Sequence, residues 1–416
     1  MAALKACGRW MVSISGQKLI AVPTNSNGEP FVFDCSQAEK RPQETENKGD
    51  DGGNEEKGSD RILALAVSKS GTLCALTDDV KRLVLFRTEP TWRCISTRWV
   101  VRRCTSLVFT CTEDELLAAD KSGDVYSFSV SEPQKPGELR LGHLSMLLAV
   151  EVSPDDRYVV TADRDEKVRV SLLKTPYNIQ SFCLGHREFV SALCIPAVLP
   201  HRLLSGSGDG TLKVWEYESG RRLQSWDLKE LSSTSSTEAG SDTRLAVCSL
   251  ASSPDGGHVA ALCDSVPTVH LFRAKPGSDG LLSPAQMLSL PRCAWDLTFD
   301  SQGRLWVLQQ DRENPALLYT RTEGGWERKC ECTELLRLEE VLQTHWEMFQ
   351  DSVGVASCFQ HLYKVNFDNM ASYLQKKQER IQQQNQQRGK KRAGQLPQCN
   401  SNKKKAKKGG TAQSGS

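Results

Sequence analysis

Two histidines are the first residues in this sequence able to do chemistry. Each sits in a Gly-His pair, Gly142-His143 and Gly185-His186, and each is followed by a hydroxyl, Thr161 or Ser205, and an aspartate, Asp165 or Asp209. A histidine close to a carboxylate can serve as a general base or a metal ligand. A base needs a nucleophile beside it, and a metal needs a third convergent ligand. Neither recurs with these histidines. The other reading is structural: the imidazole bridges a hydroxyl such as Ser205 and the turn carboxylate Asp209, with Trp215 packed beneath. In the first copy Thr161 and Asp165 would face His143 in the same way.

The surroundings of the two pairs favour the structural reading. After Gly142-His143 come Val150–Asp156, Val159–Asp165 and Lys167–Ser171; after Gly185-His186 come Val190–Leu193, Leu203–Gly210 and Thr211–Trp215. The two Gly-His pairs are 43 residues apart, within the roughly 40–45 residues of one four-stranded propeller blade. Both copies carry an aspartate six residues before a closing position, Asp165 before Ser171 and Asp209 before Trp215. This is a WD-repeat signature, and it predicts an all-β fold of short antiparallel strands.

The chain of 416 residues, 38% hydrophobic, is long enough for one propeller of about seven blades, with eight as the alternative. It contains no apolar run of membrane-spanning length, and its first twelve residues lack the pattern of a secretory leader. The fifteen cysteines are odd in number and scattered over expected strands (Cys74, Cys104, Cys194, Cys248, Cys263), which predicts buried reduced thiols and no structural zinc. The formal charge of +2 is unevenly divided. From Lys364 onward thirteen Lys or Arg stand against two acids, which leaves residues 1–363 at −9. An acidic body with a basic tail suits a scaffold that approaches nucleic acid through the tail.

Taken in order, residues 1–366 read as the propeller. Strand-like runs occur at Trp10–Ser15, Lys18–Pro23 and Pro30–Cys35, then in repeats from Ile62 to Leu141, in the two clear copies, and in two degenerate blades, one containing Ser253–Gly257 and Val269–Phe272 and the other spanning 294–329. Residues 36–60 and 229–242 are poor in aliphatic side chains and are expected to be flexible excursions. Final strands are expected at Trp346–Phe349, Val353–Phe359 and Leu362–Phe367, sharing one blade with the N-terminal strands so that no edge is left open. Residues 367–388 read as a C-terminal helix with Met370, Tyr373 and Leu374 on one side. Residues 389–416 read as a disordered basic tail. Lys390, Lys391 and Arg392, then Lys403, Lys404, Lys405, Lys407 and Lys408, have the form of a two-part nuclear import signal, so nuclear localisation is expected.

Two further motifs carry weight. Gly206-Ser207-Gly208-Asp209-Gly210 imitates a cofactor loop, but such a loop opens a helix, whereas Thr211–Tyr217 reads as another strand. No catalytic and no cofactor-binding residue is assigned. Where the second repeat has Gly208-Asp209-Gly210-Thr211, the first has Arg164-Asp165-Glu166-Lys167, with Arg169 alternating outward on the following strand. Mixed charge at a blade rim can set register with a complementary partner.

The stretches Leu76–Asp79, Lys81–Leu83, Ala119–Phe128, Leu141–Leu148 and Ser153–Arg169 exceed a generic repeat. They resemble the WD-repeat non-catalytic subunits of the eukaryotic tRNA (guanine-N7)-methyltransferase, strongly over about 60–225 and well over Phe367–Leu374. The resemblance implies a heterodimer with a separate catalytic subunit, which binds S-adenosylmethionine and methylates a variable-loop guanine in tRNA. It also implies that Arg164, Glu166, Lys167 and Arg169 meet that subunit, and that tRNA is engaged through the complex; the charge of the tail makes it a candidate for a further, electrostatic contact to tRNA. Rival readings are a nuclear scaffold in genome maintenance and a ubiquitin-ligase substrate adaptor. The latter is weakened by Trp215-Glu216-Tyr217-Glu218, where an adaptor carries Trp-Asp-x-Arg.

Overall fold

In a computed structural model the described residues are 2–24, 28–41, 58–232, 244–274, 281–355, 357–364, 370 and 373–381. Twenty-eight strands among them form seven four-stranded antiparallel sheets, each built from consecutive strands. The first strand of every sheet lies against the first strand of the next, and the seventh returns to the first, so the sheets close into a seven-bladed propeller. Blade 1 is Ala2–Cys7, Trp10–Ser15, Lys18–Pro23 and Phe31–Asp34; blade 2 begins at Ile62, blade 3 at Cys104, blade 4 at Leu147, blade 5 at Val190, blade 6 at Val247 and blade 7 at Ala294.

Burial explains the residue types along each strand. Second strands such as Trp10–Ser15, Tyr158–Asp163 and His258–Cys263 are buried throughout, because neighbouring blades cover both of their faces. Such strands read as near-continuous apolar runs. Outer strands such as Ile179–Cys183 are half exposed and mix polar with apolar residues.

The expected closure of the ring is corrected. Blade 1 takes all four strands from the N-terminal region, including Ala2–Cys7, where no strand was expected. The expected strands at Trp346–Phe349 and Val353–Phe359 are also corrected: Trp346–Ser352 is a 3-10 segment, and no strand is assigned among the described residues beyond Arg328. The seam between blades 7 and 1 is closed by side chains instead. Two helices that were not among the expected elements are α1 (Leu228–Ser232) and α2 (Thr333–Thr344), and α2 places Leu335, Leu338 and Leu342 on one face. They pack on Met11, Ile20 and Val22 of blade 1 and on Trp306, Leu308 and Leu318 of blade 7. Each such leucine contributes roughly 1.5–3 kcal/mol relative to exposure. On the inner wall, the Asp296 carboxylate of blade 7 accepts from the Leu4 amide (3.0 Å) and lies 3.4 Å from Lys5 Nζ, both in blade 1, and accepts from Ser249 Oγ of blade 6 (2.7 Å).

The two excursions are folded at their edges. Buried Arg82 binds Asp78 (2.6 Å), Asp60 and the Glu39 carbonyl (3.2 Å), which ties both ends of the 36–60 segment to blade 2. Helix α1 occupies 228–232, with Leu228 buried and the Asp227 carboxylate accepting from the Lys229 amide. The rest of both excursions, 42–57 and 233–242, lies outside the described residues. The chain divides into one compact unit, Met1–Tyr363, and a second, Lys364–Ser416, in which 373–381 is helical. No helix among the described residues is long and apolar enough to cross a membrane.

Candidate partner-binding face and blade polar networks

In blade 5 the side chains form one relay. Trp215 Nε1 donates to Ser205 Oγ (2.8 Å), which lies 2.7 Å from His186 Nε2, and His186 Nδ1 lies 3.1 Å from the Asp209 carboxylate. With the imidazole neutral and its proton on Nδ1, every one of these atoms is satisfied. Burial lowers the His186 pKa against the opposing pull of Asp209. Burial raises that of Asp209, but the His186 and Thr211 hydrogen bonds outweigh it and hold the carboxyl below the usual range.

Blade 4 uses a different aspartate from the one expected. His143 Nε2 lies 2.7 Å from Thr161 Oγ1, and Nδ1 lies 3.1 Å from Asp163, not Asp165. The two turns are in the same register, since Glu166 and Gly210 occupy the same left-handed position. What differs is the division of labour. In blade 5, Ser207 accepts from the Asp209 amide and Asp209 takes the histidine. In blade 4 the residue at the Ser207 position is Asp163, whose carboxylate reaches both ways. One oxygen takes His143, and the other accepts from the amides of Asp165 (2.9 Å) and Lys167 (3.0 Å). Asp165 is left exposed. Blades 2 and 3 use the same device, Asp78 holding the amides of Val80 and Arg82, and Asp120 those of Ser122 and Asp124.

The Asp163 cap shapes the turn that displays Arg164, Glu166 and Lys167. Arg164 Nε donates to the Leu362 carbonyl (3.2 Å), in a segment whose Phe359 and Tyr363 rings pack on Phe189. Among the described residues Lys167 Nζ hydrogen-bonds only to the Asp165 carbonyl, at 3.4 Å. Arg169 is not the loosely outward side chain that strand alternation suggested. Its guanidinium donates to Ser171 Oγ (2.9 Å), the Gly142 carbonyl of blade 3 (2.9 Å) and the Pro176 carbonyl (3.4 Å), so it braces two blades.

Around Arg169 lies an apolar patch that sequence reasoning missed. Phe182 stands directly across the ladder from Arg169, and Ile179 across from Ser171, so all four side chains share one face. Tyr177 follows the Pro176 carbonyl that Arg169 holds, Leu144 lies two residues past Gly142, and Leu184 two past Phe182. Exposure runs from 41% at Phe182 to 77% at Tyr177, and Leu144 is fully exposed. The signal available was a run of large apolar residues on what the repeat makes an outer strand. Clustered exposed apolar groups rimmed by charge mark interaction surfaces.

The remaining candidates separate plainly. Gly206–Gly210 joins two strands: the Gly206 Cα lies against Val247 and that of Gly208 against the Phe189 ring, so these glycines serve close packing. Among the described residues no three His, Cys, Asp or Glu side chains converge as a metal site. Lys390, Lys391, Arg392, Lys403, Lys404, Lys405, Lys407 and Lys408 lie outside the described residues.

Comparison with known proteins fits this geometry. The chain matches the family described as the tRNA methyltransferase TRM82 WD40 domain over residues 18–138 and 129–322. It is 56% identical over 418 residues, covering both chains fully, to the tRNA (guanine-N(7)-)-methyltransferase non-catalytic subunit wdr4 of Danio rerio. It is 46% identical over 375 residues to WDR4 of Homo sapiens, a protein of the same description, covering 90% of this chain and 89% of that one. Among solved structures, the RRP9 WD40 repeats superpose with a TM-score of 0.59 at 20% identity, over 74% of this chain and 87% of that one, a likeness of fold alone. The chain therefore belongs to the WD-repeat family of non-catalytic subunits of the tRNA (guanine-N(7)-)-methyltransferase.

Proposed function

We propose that this chain is the scaffold half of a heterodimer, binding a separate S-adenosylmethionine-dependent methyltransferase and holding it active for N7-methylation of a guanine in the tRNA variable loop. The observation that carries the reading is the blade 4 face, where a charged turn adjoins exposed Phe182, Ile179, Tyr177 and Leu144. The apolar groups would supply buried area, and Arg164, Glu166 and Lys167 the register. The chain itself takes no cofactor in this reading, since its glycine-rich turn joins strands. tRNA is reached through the complex, with the Lys390–Lys408 basic runs adding salt-dependent phosphate contacts and directing the protein to the nucleus.

Co-expression with the catalytic subunit tests this. Phe182→Asp with Lys167→Glu should leave the isolated propeller's thermal midpoint within a few degrees yet abolish co-purification and activation, because disrupting a desolvated charged contact costs ~2–5 kcal/mol. A complex of wild-type yield and activity would place the partner elsewhere. Arg169→Glu is the poorer probe, since it also breaks the brace between blades 3 and 4.

A further inference from the structure

Away from blade 4, at blade 7, the chain forms a cleft of about 460 Å³. Its walls come from three segments: Arg292 and Cys293 between blades 6 and 7, Gln310 to Arg312 in a hairpin turn of blade 7, and Trp346 with Val353 and Gly354 from the 3-10 segment and the residues after it. The volume lies in the range of small-ligand sites, roughly 300–1,000 Å³.

The cleft is built rather than incidental. The Gln310 amide donates to the Cys293 carbonyl (2.9 Å), and the Gln310 side chain accepts from the Gly354 amide (3.4 Å), which joins all three walls. Trp295 Nε1 donates to the Ser352 carbonyl (3.2 Å). Trp295 stacks on Phe349 with centroids 5.2 Å apart at 11°, and Trp346 leans on both rings. The aromatic wall is therefore fixed in place.

Charge is what the cleft leaves unanswered. Arg292 and Arg312 are exposed, and neither makes a hydrogen bond or ion pair with a described residue. Asp311 is the single acid in the lining, and its carboxylate accepts from the Glu313 amide (3.0 Å). Two unpaired guanidinium groups beside a fixed indole suit a ligand with a phosphate and a planar ring, because guanidinium pairs with phosphate through directed hydrogen bonds and bases stack on aromatic side chains.

We infer that this cleft binds one nucleotide unit, its phosphate between Arg292 and Arg312 and its base against Trp346. The site is independent of the blade 4 face. A nucleotide from an RNA strand and a free nucleotide present the same chemistry to it. A phosphorylated peptide would engage the two arginines and gain nothing from the indole.

The test uses the full chain, titrated calorimetrically with each of the four ribonucleoside 5′-monophosphates, with phosphoserine and inorganic phosphate as separate arms. At least one nucleotide should bind with a dissociation constant in the millimolar range or tighter. Arg292→Ala with Arg312→Ala should weaken it about tenfold or more, the loss expected from one charge-assisted hydrogen bond. The basic tail is unchanged in that variant, so the difference belongs to the cleft. Trp346→Leu should weaken the nucleotide and leave inorganic phosphate unaffected. An oligoribonucleotide carrying a photoreactive base should crosslink within the cleft if an RNA strand is the source, and compete with free nucleotide. Absence of nucleotide binding, binding indifferent to the arginine pair, or phosphoserine binding as well as the nucleotides would each overturn the inference.

Discussion

Replacing Asp163 by alanine should cost the protein far more than replacing Asp165, although both stand in the same charged turn. Asp163 is buried and accepts from His143 and from two turn amides. Burial raises its pKa, but those hydrogen bonds prevail and keep the carboxyl below its ordinary range, so it is ionised at neutral pH. Without it, His143 loses the partner of a buried ring nitrogen, which costs about 1–3 kcal/mol. The amides of Asp165 and Lys167 belong to exposed residues and recover water, so each adds about 0.5–1 kcal/mol. The total is roughly 2–5 kcal/mol, a large part of the usual 5–15 kcal/mol of a folded protein. At roughly 2 °C per kcal/mol for a large chain, the midpoint should fall by roughly 4–10 °C. The Asp165 side chain makes no hydrogen bond or ion pair with a described residue, and its removal should change stability by no more than about 0.5 kcal/mol. Scanning fluorimetry and calorimetry on the two purified variants decide it. Equal losses, or a greater loss for Asp165→Ala, would refute the assignment of the His143 partner. Binding of the catalytic subunit should follow the same order, since the Asp163 cap presents Arg164 to Lys167.

Leu338→Ala in α2 should destabilise by about 2–5 kcal/mol, as a fully buried leucine at the seam of blades 1 and 7, measurable by urea unfolding. Glu166→Gly should relieve up to about 1 kcal/mol of backbone strain, because Glu166 holds a φ of +72° that glycine adopts freely, so the midpoint should fall less than for Asp163→Ala; an unchanged partner affinity would then remove its carboxylate from the interface. Stability should fall as pH drops below about 6.5: burial lowers the pKa of His186, His258 and His270 in the folded state, so the unfolded chain takes up protons first. The contribution is complete above the unfolded pKa, is lost at up to about 1.4 kcal/mol per pH unit for each histidine on the way down, and is read from urea midpoints between pH 8 and 5. Truncation after Arg388 should leave the midpoint unchanged while reducing tRNA affinity at low salt and nuclear accumulation, because residues 389–416 offer almost nothing apolar to bury.

The middle of the propeller was legible because its period is written in residue types. From Ile62 to Leu141 the expected strands fall within a residue or two of those observed, most of them bounded by Gly, Asp or Ser turns, whereas the first strand of blade 4 begins three residues before the expected Val150 and its outer strand Ile179–Cys183 was not expected. The His186–Ser205–Trp215 relay follows from three residue types at fixed spacing. Asp163 did not follow, because two aspartates two residues apart both fit the spacing and only the reach of a side chain separates them. The seam was illegible for another reason. Repeat logic demands a shared closing blade, and Trp346, Phe349 and Phe359 read as strand formers. The period of Leu335, Leu338 and Leu342, however, is helical, and it was available. The partner face was half visible: charge at the turn could be read, but the exposure of Phe182 and Tyr177 depends on the outer edge of blade 4 having no neighbour over it.

The seam has a consequence for the order of events during synthesis. Blades can form one after another as the chain leaves the ribosome, since each is made of adjacent strands. Blade 1 then waits with its inner wall and its Met11, Ile20 and Val22 surface uncovered until residues 294–349 exist. The Leu4 amide must find a carboxylate 292 positions later. Contacts of such separation form slowly, and exposed apolar surface in the interval invites aggregation. The earliest-made blade is thus the last to be protected, and a ribosome stalled before α2 would hold a nearly complete ring with one open, adhesive joint.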